Sequence, residues 1–187
     1  KLKNKLLIFT AILTIFFFMI NFSDYLKLRY VDQFYSKIKT QDERENFLNN
    51  SLYIKLYKSG IYVFKNNPLF GVGNKNYRIE TCDPQKNAIY EEYHCLTHPH
   101  QVYIEMLSEH GIIGTIIILS IIFYLTFRLI RKIIDSKNYI QAGCLIFLFI
   151  NFIPVLPSGS FFSNFNITLF MINFSLMYGI NKETNIF

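Results

Sequence analysis

Residues 97–114 read T-H-P-H-Q-V-Y-I-E-M-L-S-E-H-G-I-I-G, and at this stretch a long polar segment turns into an apolar run. Three histidines and two glutamates stand at that junction. Desolvating ionisable groups at a membrane boundary costs free energy, so their concentration at the start of an apolar segment points to function. Each functional hypothesis for this chain therefore depends on this junction.

The apolar residues on either side of the junction lie in blocks. Of 187 residues, 51% are hydrophobic, and the mean hydropathy is +0.23. Four predominantly apolar runs predict transmembrane helices at about 6–22, 105–127, 139–156 and 161–180. A signal peptide is the alternative for the first run, but no small-residue cleavage site follows it. We expect an all-α, polytopic helical membrane protein with a single membrane domain over residues 1–187.

The basic residues flank these apolar blocks. The net charge is +6, and eight of the 19 lysines and arginines lie at the ends of the blocks: Lys1, Lys3, Lys5, Arg128, Arg131, Lys132, Lys137 and Lys182. This distribution is a topology signal rather than a nucleic-acid patch, so we expect membrane lipids and no nucleic acid as partners. The basic ends are then cytoplasmic, and segments 23–101 and 157–164 lie outside.

The outer segment 23–101 is predicted to be helical. Apolar residues recur at helical spacing through 46–65 and predict one amphipathic helix: Leu48, Leu52, Leu56, Tyr57, Ile61 and Phe64. This helix either lies in the membrane interface or packs as a surface helix on other spans.

The next loop, N-N-P-L-F-G-V-G-N-K-N-Y-R (66–78), combines glycines with cations. Gly71 and Gly73 permit tight turns, and an ordinary turn is the simpler explanation of these two glycines taken alone. Exposed backbone N–H groups together with Lys75 and Arg78 would also suit a diphosphate.

Cys82 and Cys95 lie in the outer segment and favour a disulfide if that segment faces an oxidising compartment. A metal site is the alternative, because His94, His98 and His100 are near in sequence. Their spacing matches no recognised zinc pattern, so we expect no metal.

At the junction itself, Pro99 disfavours helix at His98 and suits a first helical position. We therefore expect His98 near the N-cap, with His100 and Gln101 in the first turn. That turn has free N–H donors and the positive end of the helix dipole, which attract an anion and disfavour an imidazolium at His100. A neutral His100 would accept a proton.

The carboxylates of the junction follow a helical period. Gln101, Glu105 and Glu109 are four residues apart and are predicted to share one face. The two glutamates either orient the helix through contacts to neighbouring segments or serve the site directly. Gly111 and Gly114 most simply allow close helix packing.

The order N-P-L-F-G-V-G, then H-P-H-Q-V-Y-I-E-M-L-S-E-H-G-I-I-G, resembles the O-antigen ligase and O-antigen polymerase superfamily over about residues 52–114. The resemblance implies a GT-C-like glycosyltransferase of the bacterial inner membrane, with a large periplasmic loop and no cofactor. Members have more than four spans, so it also implies further helices upstream.

The resemblance places the functional histidine on His100, with Gln101 replacing the usual Asn. Tyr53 and Tyr57 stand near the positions of the family's upstream Arg and Trp, which leaves Arg44, Lys55, Lys58 or Arg78 to take over anion binding. Residues expected to bind substrate are Gly71, Gly73, Lys75, Arg78, His98, Gln101, Glu105 and Glu109.

The implied donor is a glycan on undecaprenyl diphosphate, and the implied acceptor is a sugar hydroxyl of lipid A-core or another glycan. A ligase is favoured over a polymerase or a protein-glycosylating member. From another class, a non-catalytic transporter or assembly subunit would need ionisable groups within its spans, and segments 139–156 and 161–180 have none.

Overall fold

The computed structural model describes residues 2–154 and 156–180, so Lys1 and Lys182 of the predicted topology signal lie outside the described residues. In these ranges the chain is helical and contains no strand, which confirms the all-α class. It divides into two units, Lys1–Ser51 and Leu52–Phe187.

The first unit begins with α1 (Leu2–Phe22), at the position of the first predicted span. It continues through α2 (Asp24–Lys27), a π-helical turn (Leu28–Asp32), α3 (Gln33–Ser36) and α4 (Gln41–Asn50). A capping box starts α4, because the side chains of Thr40 and Glu43 each accept from the other residue's backbone N–H.

The second unit begins with α5 (Leu52–Asn66), so the single helix expected through 46–65 is wrong. The chain is extended at Ser51, with φ −64° and ψ 125°. Asn49, Asn50 and Ser51 form the interruption, because such side chains compete for backbone hydrogen bonds and favour helix ends.

The buried side of α5 also differs from the predicted one. Four residues are buried, Leu56, Ser59, Gly60 and Val63, whereas Leu52 and Ile61 of the expected face are exposed. A Cβ on Gly60 would lie 2.3 Å from Cγ2 of Ile104. The helix therefore packs closely against the start of α8, as the surface-helix alternative expected.

Two short helices, α6 (Tyr77–Thr81) and α7 (Pro84–Ile89), lead to α8 (Val102–Ser136). Within the described ranges α8 is the one helix long and apolar enough to cross a membrane. Its 35 residues extend past the predicted end at Phe127. Only 17% of its most apolar stretch is buried, unlike the core helix of a soluble protein. The four-span arrangement remains a prediction.

The last two helices are α9 (Tyr139–Ile150) and α10 (Asn164–Gly179). Both are shorter than the predicted spans, and α9 ends six residues before Leu156 because Pro154 is incompatible with a continuing helix. They pack against each other and α8 through an aromatic cluster that includes Phe152, Phe161 and Phe170.

Candidate active site

The start of α8 is set by a tertiary contact. Gln101 is the N-cap, with φ −151°, and its side-chain oxygen accepts from the backbone N–H of Ile104 at 2.8 Å. His100 has a left-handed backbone (φ 57°), and its carbonyl accepts from the Ser158 N–H at 2.8 Å. The expectation that His100 and Gln101 lie inside the first turn is therefore wrong, since both precede Val102.

One turn of α8 is interrupted at Gly111, where φ is 65° and ψ is −173°. In a continuous helix the N–H groups of residues 112 and 113 would bond to the carbonyls of residues 108 and 109. Here all four groups bond instead to the loop that follows α5. The hydrogen bonds are Ile112 N to Pro68 O (2.9 Å), Ile113 N to Leu69 O (3.3 Å), Val72 N to Ser108 O (3.0 Å) and Gly73 N to Glu109 O (2.8 Å).

Two glycines allow the loop after α5 to fill the interruption in α8. A Cβ on Gly111 would lie 2.3 Å from the carbonyl carbon and oxygen of Leu69, and a Cβ on Gly71 would lie 2.4 Å from the carbonyl carbon of Glu109. Real Cβ contacts are not this short, so both positions need glycine at these left-handed φ angles. Gly111 thus allows close approach of a loop, so the helix packing expected at this position is wrong.

The backbone N–H groups of Gly71, Val72, Gly73 and Lys75 in this loop are already donated. Gly71 N bonds to Asn67 O at 3.0 Å, and Gly73 N bonds to the Glu109 carbonyl. The simpler explanation of the two glycines, a structural turn, accounts for this geometry. Anion binding by the loop therefore depends on the side chains of Lys75 and Arg78.

The two glutamates of α8 each hold one loop. Glu109 Oε2 accepts from the backbone N–H of Lys75 at 2.9 Å. Glu105 accepts from the Ser160 hydroxyl and from the Phe161 N–H, the latter at 2.8 Å. Both carboxylates are almost completely buried. Glu105 and Glu109 thus lie buried on one side of α8, as helical periodicity predicted, and position neighbouring segments there, whereas the buried Gln101 caps the helix.

These two loops border an open pocket of about 660 Å³. Its lining consists of Lys75, Arg78, Thr97, His98, Gly159, Ser160, Ser163, Asn164 and Asn166. Lys75 Nζ donates to Asn164 Oδ1 across the pocket at 3.0 Å. The exposed Arg78 guanidinium has no salt-bridge partner within the described ranges. One wall of the pocket is thus cationic, and the other is neutral and rich in hydroxyl and amide groups.

The pocket includes three of the residues expected to bind substrate: Lys75, Arg78 and His98. His100 does not line the pocket, but its ring centroid lies 4.0 Å from that of His98. His98 Nδ1 is 2.9 Å from the Thr97 hydroxyl, and Nε2 is buried without a hydrogen-bond partner in the described residues. Burial lowers the pKa of His98, and the adjacent His100 acts in the same direction.

A disulfide and hydrogen bonds to Ser59 fix the segment that leads to these histidines. A disulfide joins Cys82 to Cys95, as the cysteine positions favoured. Ser59 on α5 accepts from the Tyr77 hydroxyl at 2.9 Å and from the His94 N–H at 3.0 Å. Burial raises the pKa of Tyr77 to about 12. The approach to the pocket is therefore fixed on α5 before the chain enters α8.

Sequence reasoning assigned no role to the second wall of the pocket. Ser160, Ser163, Asn164 and Asn166 lie in or next to segment 157–164, which the charge pattern placed on the same side as the histidines. A run of Ser and Asn between two apolar blocks was the available signal. Only the tertiary contacts through Glu105 and Lys75 show where this run lies.

Within residues 2–154 and 156–180, no group of three or more His, Cys, Asp or Glu residues is arranged to hold a metal ion. A family model described as O-antigen ligase matches residues 1–119. No curated protein and no solved structure matches the chain.

Proposed function

We propose, from the premise that this chain belongs to the O-antigen ligase family, that it transfers a glycan from undecaprenyl diphosphate to a sugar hydroxyl of lipid A-core. The reaction would take place at the periplasmic face of the bacterial inner membrane. The family match supports a glycosyltransferase in general terms, and the donor, acceptor and site residues are our proposal.

The pocket beside the start of α8 carries this proposal. Lys75 and Arg78 supply two positive charges on one wall, where a diphosphate would be stabilised as it leaves. The opposite wall has the Ser160 and Ser163 hydroxyls and the Asn166 amide. Each already makes one hydrogen bond within the protein and keeps further hydrogen-bonding capacity for the hydroxyl groups of a sugar. This combination of a cationic and a neutral polar wall matches a glycan linked to a diphosphate.

In the proposed reaction, the acceptor hydroxyl oxygen attacks the anomeric carbon and forms the new glycosidic bond. The bond from that carbon to the diphosphate oxygen breaks, and the leaving undecaprenyl diphosphate keeps the electron pair. His100, which lies against His98 outside the pocket lining, takes the proton, as general base, of an acceptor hydroxyl that approaches from the His98 side. His98, whose ring contacts His100 and faces the pocket, would orient it.

Three matched histidine variants test the base. We expect His100→Gln to reduce transfer by about 10²–10⁴-fold, the usual contribution of a general base. His94→Gln is the control, because the His94 ring contacts the Glu92 carbonyl and does not line the pocket. Near-normal transfer by His100→Gln would refute the assignment, and a severe loss only in His98→Gln would move the base to His98.

The cationic wall is tested in the same assay with the full-length protein, using a lipid diphosphate-linked glycan as donor. Loss of one charge-assisted hydrogen bond costs about 1.5–3 kcal/mol, so Lys75→Gln and Arg78→Gln should lower kcat/KM for the donor by roughly tenfold or more. Lys65→Gln, an exposed lysine at the end of α5 outside the pocket, should not. Products on lipid A-core would support the ligase, and elongated lipid-linked chains would identify the alternative, a polymerase.

A further inference from the structure

Two large apolar side chains stand exposed at the turn that is hydrogen-bonded into α8. Leu69 is 56% exposed and Phe70 is 72% exposed. They belong to the turn whose Pro68 and Leu69 carbonyls accept from the N–H groups of Ile112 and Ile113. Two adjacent exposed apolar side chains, unlike a single one, form a contiguous patch of the kind that marks contact with a membrane or with another protein.

The level of this turn along α8 identifies the partner. From Val102 to Gly111, each residue of α8 is buried or half-buried by the surrounding segments. From Ile112 onward the helix exposes an apolar stripe that includes Ile112, Ile113, Ile116 and Ile117. The turn is bonded to α8 at residues 112 and 113, so Leu69 and Phe70 lie where the covered part ends and the exposed stripe begins.

We infer that Leu69 and Phe70 form a wedge that inserts into the acyl chains of the leaflet at the N-terminal end of α8. The wedge continues the apolar surface of the only helix, within the described residues, that is long and apolar enough to cross a membrane. Lipid acyl chains are the occupant that this continuity requires, since the stripe and the wedge are then covered by the same hydrocarbon. Gly71 and Gly111 hold the wedge at this depth by allowing the loop to contact α8.

The wedge also sets the depth of the pocket in the membrane, an inference that rests on the proposed function. Lys75 follows Phe70 by five residues and therefore lies within about 18 Å of it along an extended chain. Its backbone is also held by Glu109, one turn before the exposed stripe. The cationic wall of the pocket would thus lie at the depth of lipid headgroups, where the diphosphate of a lipid-linked donor is found.

The chain contains no tryptophan, which allows a direct test. Phe70→Trp places a single indole in the wedge, and Ile89→Trp places one at a comparably exposed isoleucine (70%) at the end of α7. Each 187-residue variant is reconstituted in phosphatidylcholine vesicles, with or without bromine on the acyl chains. Fluorescence is recorded in both, and again with iodide in the aqueous phase.

We expect the indole of Phe70→Trp to emit at shorter wavelength, to lose most of its emission to brominated lipid and to resist iodide. Ile89→Trp should show the opposite behaviour. Quenching of Phe70→Trp by iodide alone would overturn the inference, and so would resistance to both quenchers, which would mean that protein covers the wedge. Slow reaction of the buried Cys144 thiol with a thiol-reactive fluorophore verifies that each variant is folded. Since the readout is lipid contact, its failure leaves the proposed transfer reaction intact.

Discussion

Replacing Gly111 with alanine tests whether the interruption of α8 holds the two halves of the site together. At this position the backbone has φ 65°, and the added Cβ would lie 2.3 Å from the Leu69 carbonyl. The clash is with backbone atoms, so no side-chain rotation relieves it. Either the loop moves away from the helix, or the helix closes its own hydrogen bonds and expels the loop.

The cost follows from the four hydrogen bonds at the interruption. If the loop separates, all four are lost, and at about 0.5–1.5 kcal/mol each the free energy of unfolding falls by about 2–6 kcal/mol. If the geometry is kept instead, a non-glycine residue in this strained region costs about 1–3 kcal/mol before the clash is counted. We therefore expect a destabilisation of about 1–6 kcal/mol, with the lower part of this range if the helix closes its own two hydrogen bonds and only two bonds are lost.

Cys144 is a suitable reporter of this loss. It is the third cysteine of the chain, only 5% exposed, whereas Cys82 and Cys95 are joined by a disulfide. Unfolding by denaturant in detergent micelles is followed by the reaction of a thiol-reactive fluorophore with this single thiol. The midpoint for Gly111→Ala should shift to clearly lower denaturant concentration.

Gly179→Ala is the matched control, because nothing lies within 4 Å of a Cβ at that position at the end of α10. It should unfold at the wild-type midpoint or slightly above, since alanine favours helix over glycine by roughly 1 kcal/mol. Equal midpoints for Gly111→Ala and the wild type would refute the role of the interruption. A larger loss in the control than in Gly111→Ala would do the same.

Two further predictions concern buried groups near the site. Glu105→Ala leaves the Ser160 hydroxyl and the Phe161 N–H without their acceptor, at about 1–3 kcal/mol for each buried donor, so the donor KM should rise more than kcat falls. Glu105→Gln keeps one acceptor oxygen and should recover part of the loss; equal effects of both variants would contradict a positioning role. Burial raises the pKa of Tyr77 from 10.0 to about 12, so the folded state holds this proton more tightly than the unfolded state. Its contribution to stability is complete below pH 10 and is lost as the pH rises to 12, by up to about 3 kcal/mol, and a pH titration of the unfolding free energy of Tyr77→Phe should lack this decline.

The sequence predicted best the features that depend on the spacing of residues or on the order of motifs. The common face of Glu105 and Glu109 follows from helical periodicity, and the structure buries both. The order of the motifs from residue 52 to residue 114 indicated the family that the comparison shows. Helix ends were predicted less well, because short tertiary contacts such as the one between Ser158 and His100 decide where α8 begins.

By itself the sequence determined the all-α class, the long apolar helix after residue 101 and the concentration of ionisable groups at its start. These are local properties, since hydropathy and helical period are read from neighbouring residues. The tertiary structure alone decided that the loop after α5 fills the interruption at Gly111, and that segment 157–164 forms the second wall of the pocket. Glu105 and Ser160 are 55 residues apart, and Lys75 and Asn164 are 89 residues apart. No pattern of neighbouring residues encodes which distant donor meets which acceptor, so the pocket exists only once the chain is packed.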